Sequence, residues 1–254
     1  MGQGSARGRA GMRRRHAALV VAAALMASCG GGDEPESPRA SSDRRMRALG
    51  ISAGEAVLAR WTPVIGLSLV PAAGTVLDNG KLLFWSSNAR TTFGGGGHTF
   101  TSLFDPATGT ATERDVTETG HDMFCPGTSL LPDGRLLVNG GVGANLSSIY
   151  DPQTNAWSSA AGMKIPRGYN ANTVLADGSV LSFGGSWSGG TAGGKSAEIY
   201  TPETGWRVLA DVPYDPYLLN GAYNGWQTDA HAALVPTCNG RVLVAGPSPN
   251  MGWI

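Results

Sequence analysis

One short pattern recurs along the chain and limits the folds that it can adopt. In each copy an Asn-Gly or Asp-Gly dipeptide is followed by a run of mostly apolar residues. The four copies begin at Asn79-Gly80, Asp133-Gly134, Asp177-Gly178 and Asn239-Gly240. These dipeptides tolerate the positive φ angles of a two-residue β-hairpin, so each copy predicts a turn that leads into a strand. The sequence therefore predicts one small β unit, repeated along the chain.

A second pattern follows the first in each of three units. It consists of an apolar segment, a turn with proline and a second short segment, at residues 103–109, 149–155 and 199–205. The plain interpretation is a strand, a turn and another strand. Trp157 and Trp206 follow the last two copies, and we expect both indoles to pack in the core between neighbouring sheets.

The order of these elements is typical of kelch repeats. Gly140-Gly141 and Gly184-Gly185 each end an apolar strand, and Tyr and Trp follow later in a unit of about fifty residues. The prediction is an all-β, kelch-type β-propeller over residues 61–254, incomplete, with about four blades of an expected seven. The 38 Gly and 15 Pro agree with many short strands joined by tight turns. The repeat itself does not separate an enzyme from a binding platform.

The first sixty residues have the features of an export signal and a tether. Basic residues at 13–15 precede an apolar run from Ala17 to Ala27, too short for a stable membrane span. The run ends at Cys29 in a sequence like a bacterial lipobox, so residues 1–29 are expected to be a signal peptide with lipidation at Cys29. An ordinary secretory signal with an incidental cysteine is the alternative. Residues 30–60 are predicted to be a flexible tether. The protein is therefore expected to be exported, anchored to the bacterial envelope or extracellular.

The charge of the predicted propeller bears on its partners. The whole chain has 19 Lys and Arg against 19 Asp and Glu, but from Trp61 onward there are nine bases and fourteen acids, a net charge of −5. Binding to phosphate backbones needs clustered Lys and Arg, so nucleic acid is not an expected partner.

Three segments interrupt the repeats, and loops of this kind carry the functional residues of many propellers. They span residues 121–127, 166–170 and 184–190. Taken singly, their residues have ordinary explanations. Cys125 could be a buried thiol or a disulfide partner of Cys238, Tyr169 a loop residue and Trp187 a packing residue.

In order, residue types and spacing, these three segments resemble the galactose oxidase family, and residues 184–190 match it almost letter for letter. The resemblance runs from about residue 61 to residue 253. It implies that Cys125 is joined to Tyr169 by a thioether bond, that Tyr169 binds copper and that Trp187 stacks over the linked tyrosine. By the same resemblance, Phe93 lies near the substrate.

The resemblance also implies an activity. A copper ion and a thioether-linked Cys125–Tyr169 tyrosyl radical would each accept one electron, as a two-electron alcohol oxidation requires. The expected reaction oxidises a primary alcohol, either a sugar or a small alcohol, to an aldehyde and reduces O2 to H2O2. The family's other copper ligands, a second tyrosine and two histidines, are expected beyond residue 254. Gln227 aligns with the arginine that holds the sugar in the family, which argues against galactose itself.

Other residues and other functions stand beside this hypothesis. His98, His121 and His231 lack partners at metal-ligand spacing, so hydrogen-bonded structural roles are favoured, with His121 close to the site. The rival hypothesis is a non-catalytic kelch lipoprotein that binds glycans or a protein partner at the cell surface. A structural envelope protein with no ligand is a third alternative.

Overall fold

The computed structural model describes residues 64–93, 96–186, 188, 193–218, 230–246 and 249–254. All of them lie in one compact unit, Val64–Ile254. The described residues form antiparallel sheets that follow one another along the chain, and the sole helical element among them is a short 3-10 turn, Asp215–Tyr217. No helix in these ranges is long and apolar enough to cross a membrane.

Each sheet is a meander in which consecutive strands pair. Sheet 1 contains β1 (Ala73–Val76), β2 (Leu82–Trp85), β3 (Thr99–Asp105) and β4 (Thr110–Val116). Sheet 2 contains β5 (Gly127–Leu130), β6 (Leu136–Asn139), β7 (Ser147–Asp151) and β8 (Ala156–Ser159). Sheet 3 contains β9 (Ala171–Val174), β10 (Val180–Phe183), β11 (Ser196–Thr201) and β12 (Gly205–Pro213). Sheet 4 contains β13 (Ala233–Pro236), β14 (Val242–Ala245) and β15 (Gly252–Trp253).

These sheets confirm the predicted all-β architecture of successive blades. The first strands of consecutive blades lie side by side, β5 beside β9 and β9 beside β13. Each blade therefore presents its first strand to the same inner region, which is the arrangement of a propeller.

Buried apolar side chains fill the space between neighbouring sheets. Between sheets 1 and 2 the core includes Trp85, Val138 and Trp157, and between sheets 2 and 3 it includes Leu137, Ile149 and Trp206. A third cluster, which contains Phe183 and Val244, joins sheets 3 and 4. The indoles of Trp157 and Trp206 are 5% and 3% exposed, so both are core residues as predicted.

The Asn-Gly and Asp-Gly turns connect the first two strands of every sheet in one register. Val76 pairs with Leu82 in sheet 1, and Leu130 pairs with Leu136 in sheet 2. In the first of these turns the Gly80 N–H donates to the Leu77 carbonyl (2.9 Å), and the Leu77 N–H donates to the Lys81 carbonyl (2.8 Å). We call this end of the sheets, formed by residues 77–81, 131–135, 175–179 and 237–241, the turn end.

The prediction of two-residue hairpins was wrong in its details. The glycines have φ of 79° to 85°, but the Asn or Asp before each has a negative φ, which fits a type I turn closed by a left-handed glycine. The physical reason is that the Asn or Asp side chain accepts a hydrogen bond from the backbone N–H two residues later. Asn79 Oδ1 accepts from the Lys81 N–H (3.1 Å), and Asp133 Oδ1 accepts from the Arg135 N–H (3.0 Å). This bond stabilises the three-residue loop.

Candidate active site

The segments that interrupt the repeats gather at the opposite end of the sheets. Residues 121–126 lead into β5, residues 140–146 follow β6, residues 160–170 lead into β9, residues 184–186 follow β10 and residues 230–232 lead into β13. In an antiparallel meander, the start of the first strand and the end of the second strand lie at one edge. We call this edge, formed by these segments, the loop end.

Cys125 and Tyr169 meet at the loop end. Each lies two residues before the first strand of its sheet, and those two strands, β5 and β9, are neighbours. The Tyr169 N–H donates to the Cys125 carbonyl at 2.9 Å. The thiol and the phenol are close enough that each shifts the pKa of the other. Two residues 44 positions apart in the sequence therefore bring a sulfur and a phenol together.

The backbone at both residues is in a region that side chains other than glycine rarely occupy. Cys125 has φ 57° and Tyr169 has φ 59°. This left-handed conformation costs roughly 1–2 kcal/mol for a residue with a Cβ. Strain of this kind persists where surrounding contacts impose it, and it is concentrated at functional sites.

The surroundings keep both groups protonated at neutral pH. Burial raises the pKa of the Cys125 thiol, and the hydrogen bond from Tyr169 offsets part of that rise. Burial, together with the hydrogen bond to Cys125, raises the pKa of Tyr169 to about 12. Cys125 is a free thiol, so the alternative of a disulfide with Cys238 does not describe this structure.

The paired glycines at the end of β6 allow the Cys125 and Tyr169 segments to approach each other. Gly140 and Gly141 have φ of 76° and 90°. A Cβ at Gly140 would lie 2.5 Å from the Arg167 carbonyl oxygen, and one at Gly141 would lie 2.4 Å from the Phe124 carbonyl oxygen. The Gly141 N–H donates to the Arg167 carbonyl at 3.0 Å. Glycine is thus required here by conformation and by space.

A buried ion pair holds the Tyr169 segment from its other side. The Arg167 Nε donates to Glu198 Oε2 at 3.1 Å, and both side chains are fully buried. The remaining guanidinium nitrogens donate to the carbonyls of Gly184 (2.7 Å) and Ser196. Glu198 also accepts the backbone N–H of Lys164 at 2.7 Å. Arg167 therefore ties the segment that carries Tyr169 to the ends of β10 and β11.

Phe93 lies beside the Cys125 segment. Its ring centroid is 4.6 Å from that of Phe124, and its side chain is 63% exposed. Buried Asp122 accepts the Phe124 N–H at 3.2 Å. Burial raises the pKa of the Asp122 carboxyl, and the backbone of Asn88 and Gly96, on either side of Phe93, lies close enough to offset part of that rise. The predicted substrate residue thus presents an exposed aromatic surface next to Cys125.

His121 and His98 have structural partners, as the sequence suggested. The His121 Nε2 lies 2.8 Å from the Gly140 carbonyl, and its Nδ1 lies 2.9 Å from the Ser148 hydroxyl. Because a carbonyl only accepts, Nε2 carries the proton, and burial lowers the pKa of His121 to about 4. His98 Nδ1 contacts Asp115 Oδ1 at 2.6 Å. Within the described ranges, no group of three His, Cys, Asp or Glu residues is arranged to hold a metal.

Three predicted site residues lie outside the described residues. They are Trp187, Gln227 and the predicted lipidation site Cys29. Their predicted roles stay predictions.

Comparison with known proteins decides the family. No protein-family model matches the chain. A galactose oxidase of Gibberella zeae is 40% identical over 212 residues, which cover 82% of this chain and 31% of that protein. A second sequence of the same name from Gibberella zeae matches equally.

The solved structures agree with the sequence comparison. A fungal alcohol oxidase of the AA5 family, determined in complex with copper, superposes with a TM-score of 0.68 at 38% identity. The aligned region covers 76% of this chain and 41% of that one. The chain belongs to the galactose oxidase family. It spans about a third of the length of the curated galactose oxidases that it matches.

Two features of this site were not predicted from the sequence. The Arg167–Glu198 pair was not identified, because a single Arg and a single Glu 31 positions apart give no local signal. The sequence favours a purely structural role for His231, yet its ring centroid lies 4.6 Å from that of Tyr169. A sequence signal for His231 existed: Cys125, Tyr169 and His231 each lie eight residues before the Asn or Asp of the next turn dipeptide.

Proposed function

We propose that this protein is a copper-radical oxidase that converts a primary alcohol to an aldehyde and reduces O2 to H2O2. The observation that carries the proposal is the meeting of the Cys125 thiol and the Tyr169 phenol at the loop end. Membership of the galactose oxidase family supports it. The overall reaction is balanced, since the alcohol loses two electrons and two protons and O2 gains both.

The Tyr169 phenol suits copper as one of several ligands. The Tyr169 phenol is a half-buried oxygen donor beside a free thiol, and it is the residue that would hold the metal. When bound, copper supplies one of the two one-electron acceptors that the oxidation requires. The other acceptor is the modified phenol of Tyr169.

The modification joins Cys125 to Tyr169. A bond forms between the Cys125 sulfur and a ring carbon next to the phenol oxygen, while the S–H and C–H bonds break. The two protons and two electrons released pass to O2, which becomes H2O2. Because both residues are protonated in the folded protein, the thiol and phenol are the reactants from which the linkage starts.

The neighbouring residues have roles that follow from their positions. The exposed ring of Phe93 and the half-buried ring of Phe124 beside it offer an apolar surface on which the carbon skeleton of an alcohol can pack beside the modified phenol. Trp187 is proposed to cover that phenol. Gln227 is proposed to form a hydrogen bond with a substrate hydroxyl. An amide in place of a guanidinium fork favours alcohols other than galactose.

Peroxide formation tests this function. Protein made from its complete coding sequence is loaded with copper in air and assayed for H2O2 over a set of primary alcohols and sugars. We expect turnover in the wild type and its loss in Tyr169→Phe. Tyr150→Phe is the matched control, because the Tyr150 hydroxyl bonds Asn155 in the turn between β7 and β8, away from the loop end, and should not affect turnover. Glycan or protein binding without peroxide would favour the non-catalytic kelch protein instead.

We also propose that the protein is exported and anchored by a lipid at Cys29, with residues 30–60 as a tether to the propeller of residues 61–254. The basic residues, apolar run and lipobox-like cysteine of the first 29 residues support this. Membrane fractionation of a bacterial host tests it. Cys29→Ser should move the protein out of the membrane fraction, and an unchanged distribution would refute the anchor.

A further inference from the structure

Three residues occupy one equivalent position in successive sheets. Cys125, Tyr169 and His231 each lie two residues before the first strand of their sheet, β5, β9 and β13. Their φ angles are 57°, 59° and 54°, and among the described residues they share a left-handed backbone with only one other residue that is not glycine, Asn155. The equivalent position of sheet 1 is Pro71, whose ring fixes a negative φ.

Backbone hydrogen bonds connect these equivalent positions in series. The Tyr169 N–H donates to the Cys125 carbonyl, and the His231 N–H donates to the Tyr169 carbonyl, each at 2.9 Å. The second hydrogen bond therefore repeats the first, one blade further along the chain. The third residue of the series is held as closely to Tyr169 as Tyr169 is to Cys125.

The side chain of His231 also contacts Tyr169. The two ring centroids are 4.6 Å apart, with an interplanar angle of 51°. Tyr169 thus interacts with Cys125 through its hydroxyl and with His231 through its ring. His231 is exposed, so its imidazole is not needed to fill the core.

We infer that His231 is a positioning residue, which holds the Tyr169 ring in the orientation where its hydroxyl meets the Cys125 thiol. The consequence of this role is faster formation of the Cys125–Tyr169 thioether with O2 as the oxidant. Only this consequence rests on the proposed function. An aromatic contact of this kind shifts an orientation equilibrium by roughly a few-fold to tenfold.

A backbone role is the alternative, since histidine is one of the residues that tolerate a left-handed φ. His231→Asn separates the two roles. Asparagine tolerates the same backbone conformation but has no ring to place against Tyr169. His98→Asn is the matched control, because His98 is also a surface histidine in edge contact with an aromatic ring, that of Phe100 at 5.4 Å.

Two measurements on the complete protein test the inference. The first is alkylation of Cys125 by iodoacetamide in copper-free protein, followed by peptide mapping. We expect His231→Asn to react about three- to tenfold faster than wild type, because the phenol no longer stays at the sulfur. The second is the rate of the two-hydrogen mass loss after copper and air are added, which should fall about as much in His231→Asn and stay unchanged in His98→Asn.

The outcomes separate this inference from the proposed function. Wild-type rates of alkylation and mass loss in His231→Asn would overturn the positioning role and leave the oxidase proposal standing. Faster alkylation in His231→Asn, with no mass loss even in the wild type, would overturn the oxidase proposal and support the hold of His231 on Tyr169.

Discussion

The two ends of the sheets are built in different ways from the same repeat. At the turn end, the same hairpin recurs in all four sheets, with a left-handed glycine and an Asx side chain that stabilises the turn. At the loop end, the left-handed position is occupied by Cys125, Tyr169 and His231, which differ in chemistry but are connected from sheet to sheet. Repetition thus provides the scaffold, and side-chain identity at one strained position determines which groups meet at the loop end.

Removal of a charged side chain should give the largest difference in unfolding free energy between the two ends. Arg167→Met leaves the Glu198 carboxylate buried without its ion partner, which costs about 3–5 kcal/mol of unfolding free energy. Arg135→Met removes an exposed pair with Asp133 at the turn end and should cost less than about 1 kcal/mol. Urea denaturation measures both. Equal losses would mean that the buried pair does not hold the loop end together.

Replacement of a glycine should also lower the unfolding free energy more at the loop end than at the turn end, by a smaller difference. Gly80 has φ 79°, and a Cβ added there would have no neighbouring atom within 4 Å, so Gly80→Ala should cost only the backbone strain of about 1–2 kcal/mol. Gly141 has φ 90° and would also place its Cβ against the Phe124 carbonyl. Gly141→Ala should therefore lose more unfolding free energy than Gly80→Ala and slow thioether formation. Equal stability in the two variants would contradict the close approach.

Acid should weaken the loop end through His121. Its pKa falls from an ordinary value of 6.5 to about 4 in the folded protein. The unfolded chain therefore binds the extra proton first, so this contribution to stability is present above pH 6.5 and is lost as the pH falls towards 4. Between pH 7 and pH 5 the loss is about 2 kcal/mol. His121→Gln, which cannot titrate, should flatten this part of the pH profile, and an unchanged slope would refute the assignment.

Loss of one Asx side chain at the turn end should have the smallest effect. Asn79→Ala and Asn239→Ala each remove a bond to a backbone N–H, of Lys81 and Arg241, and should each cost about 0.5–1 kcal/mol. The two turns belong to separate sheets, so the double variant should lose the sum within about 0.5 kcal/mol. Chemical denaturation of the three variants measures this. A strongly non-additive result would show that the turns are not independent units.

The sequence predicted the repeated elements well because each depends on neighbouring residues. Asp133 and Gly134 determine their own turn, and Trp157 is placed in the core by its position in the unit. The pairing of Cys125 with Tyr169 depends on the adjacency of β5 and β9, and only the family resemblance suggested it. The contact of Arg167 with Glu198 joins the segment before β9 to β11, two strands away in the same sheet, and no local pattern encodes it.

Peptide mapping of copper-loaded protein tests the central claim most directly. Protein made from the complete coding sequence is exposed to copper and air, digested and analysed by mass spectrometry, with Cys125→Ser as the control. We predict that the peptides containing Cys125 and Tyr169 are recovered as one species, lighter than their sum by two hydrogens, and that the control yields them separately. Recovery of two unmodified peptides from the wild type would contradict the claim that this thiol and phenol form one redox group.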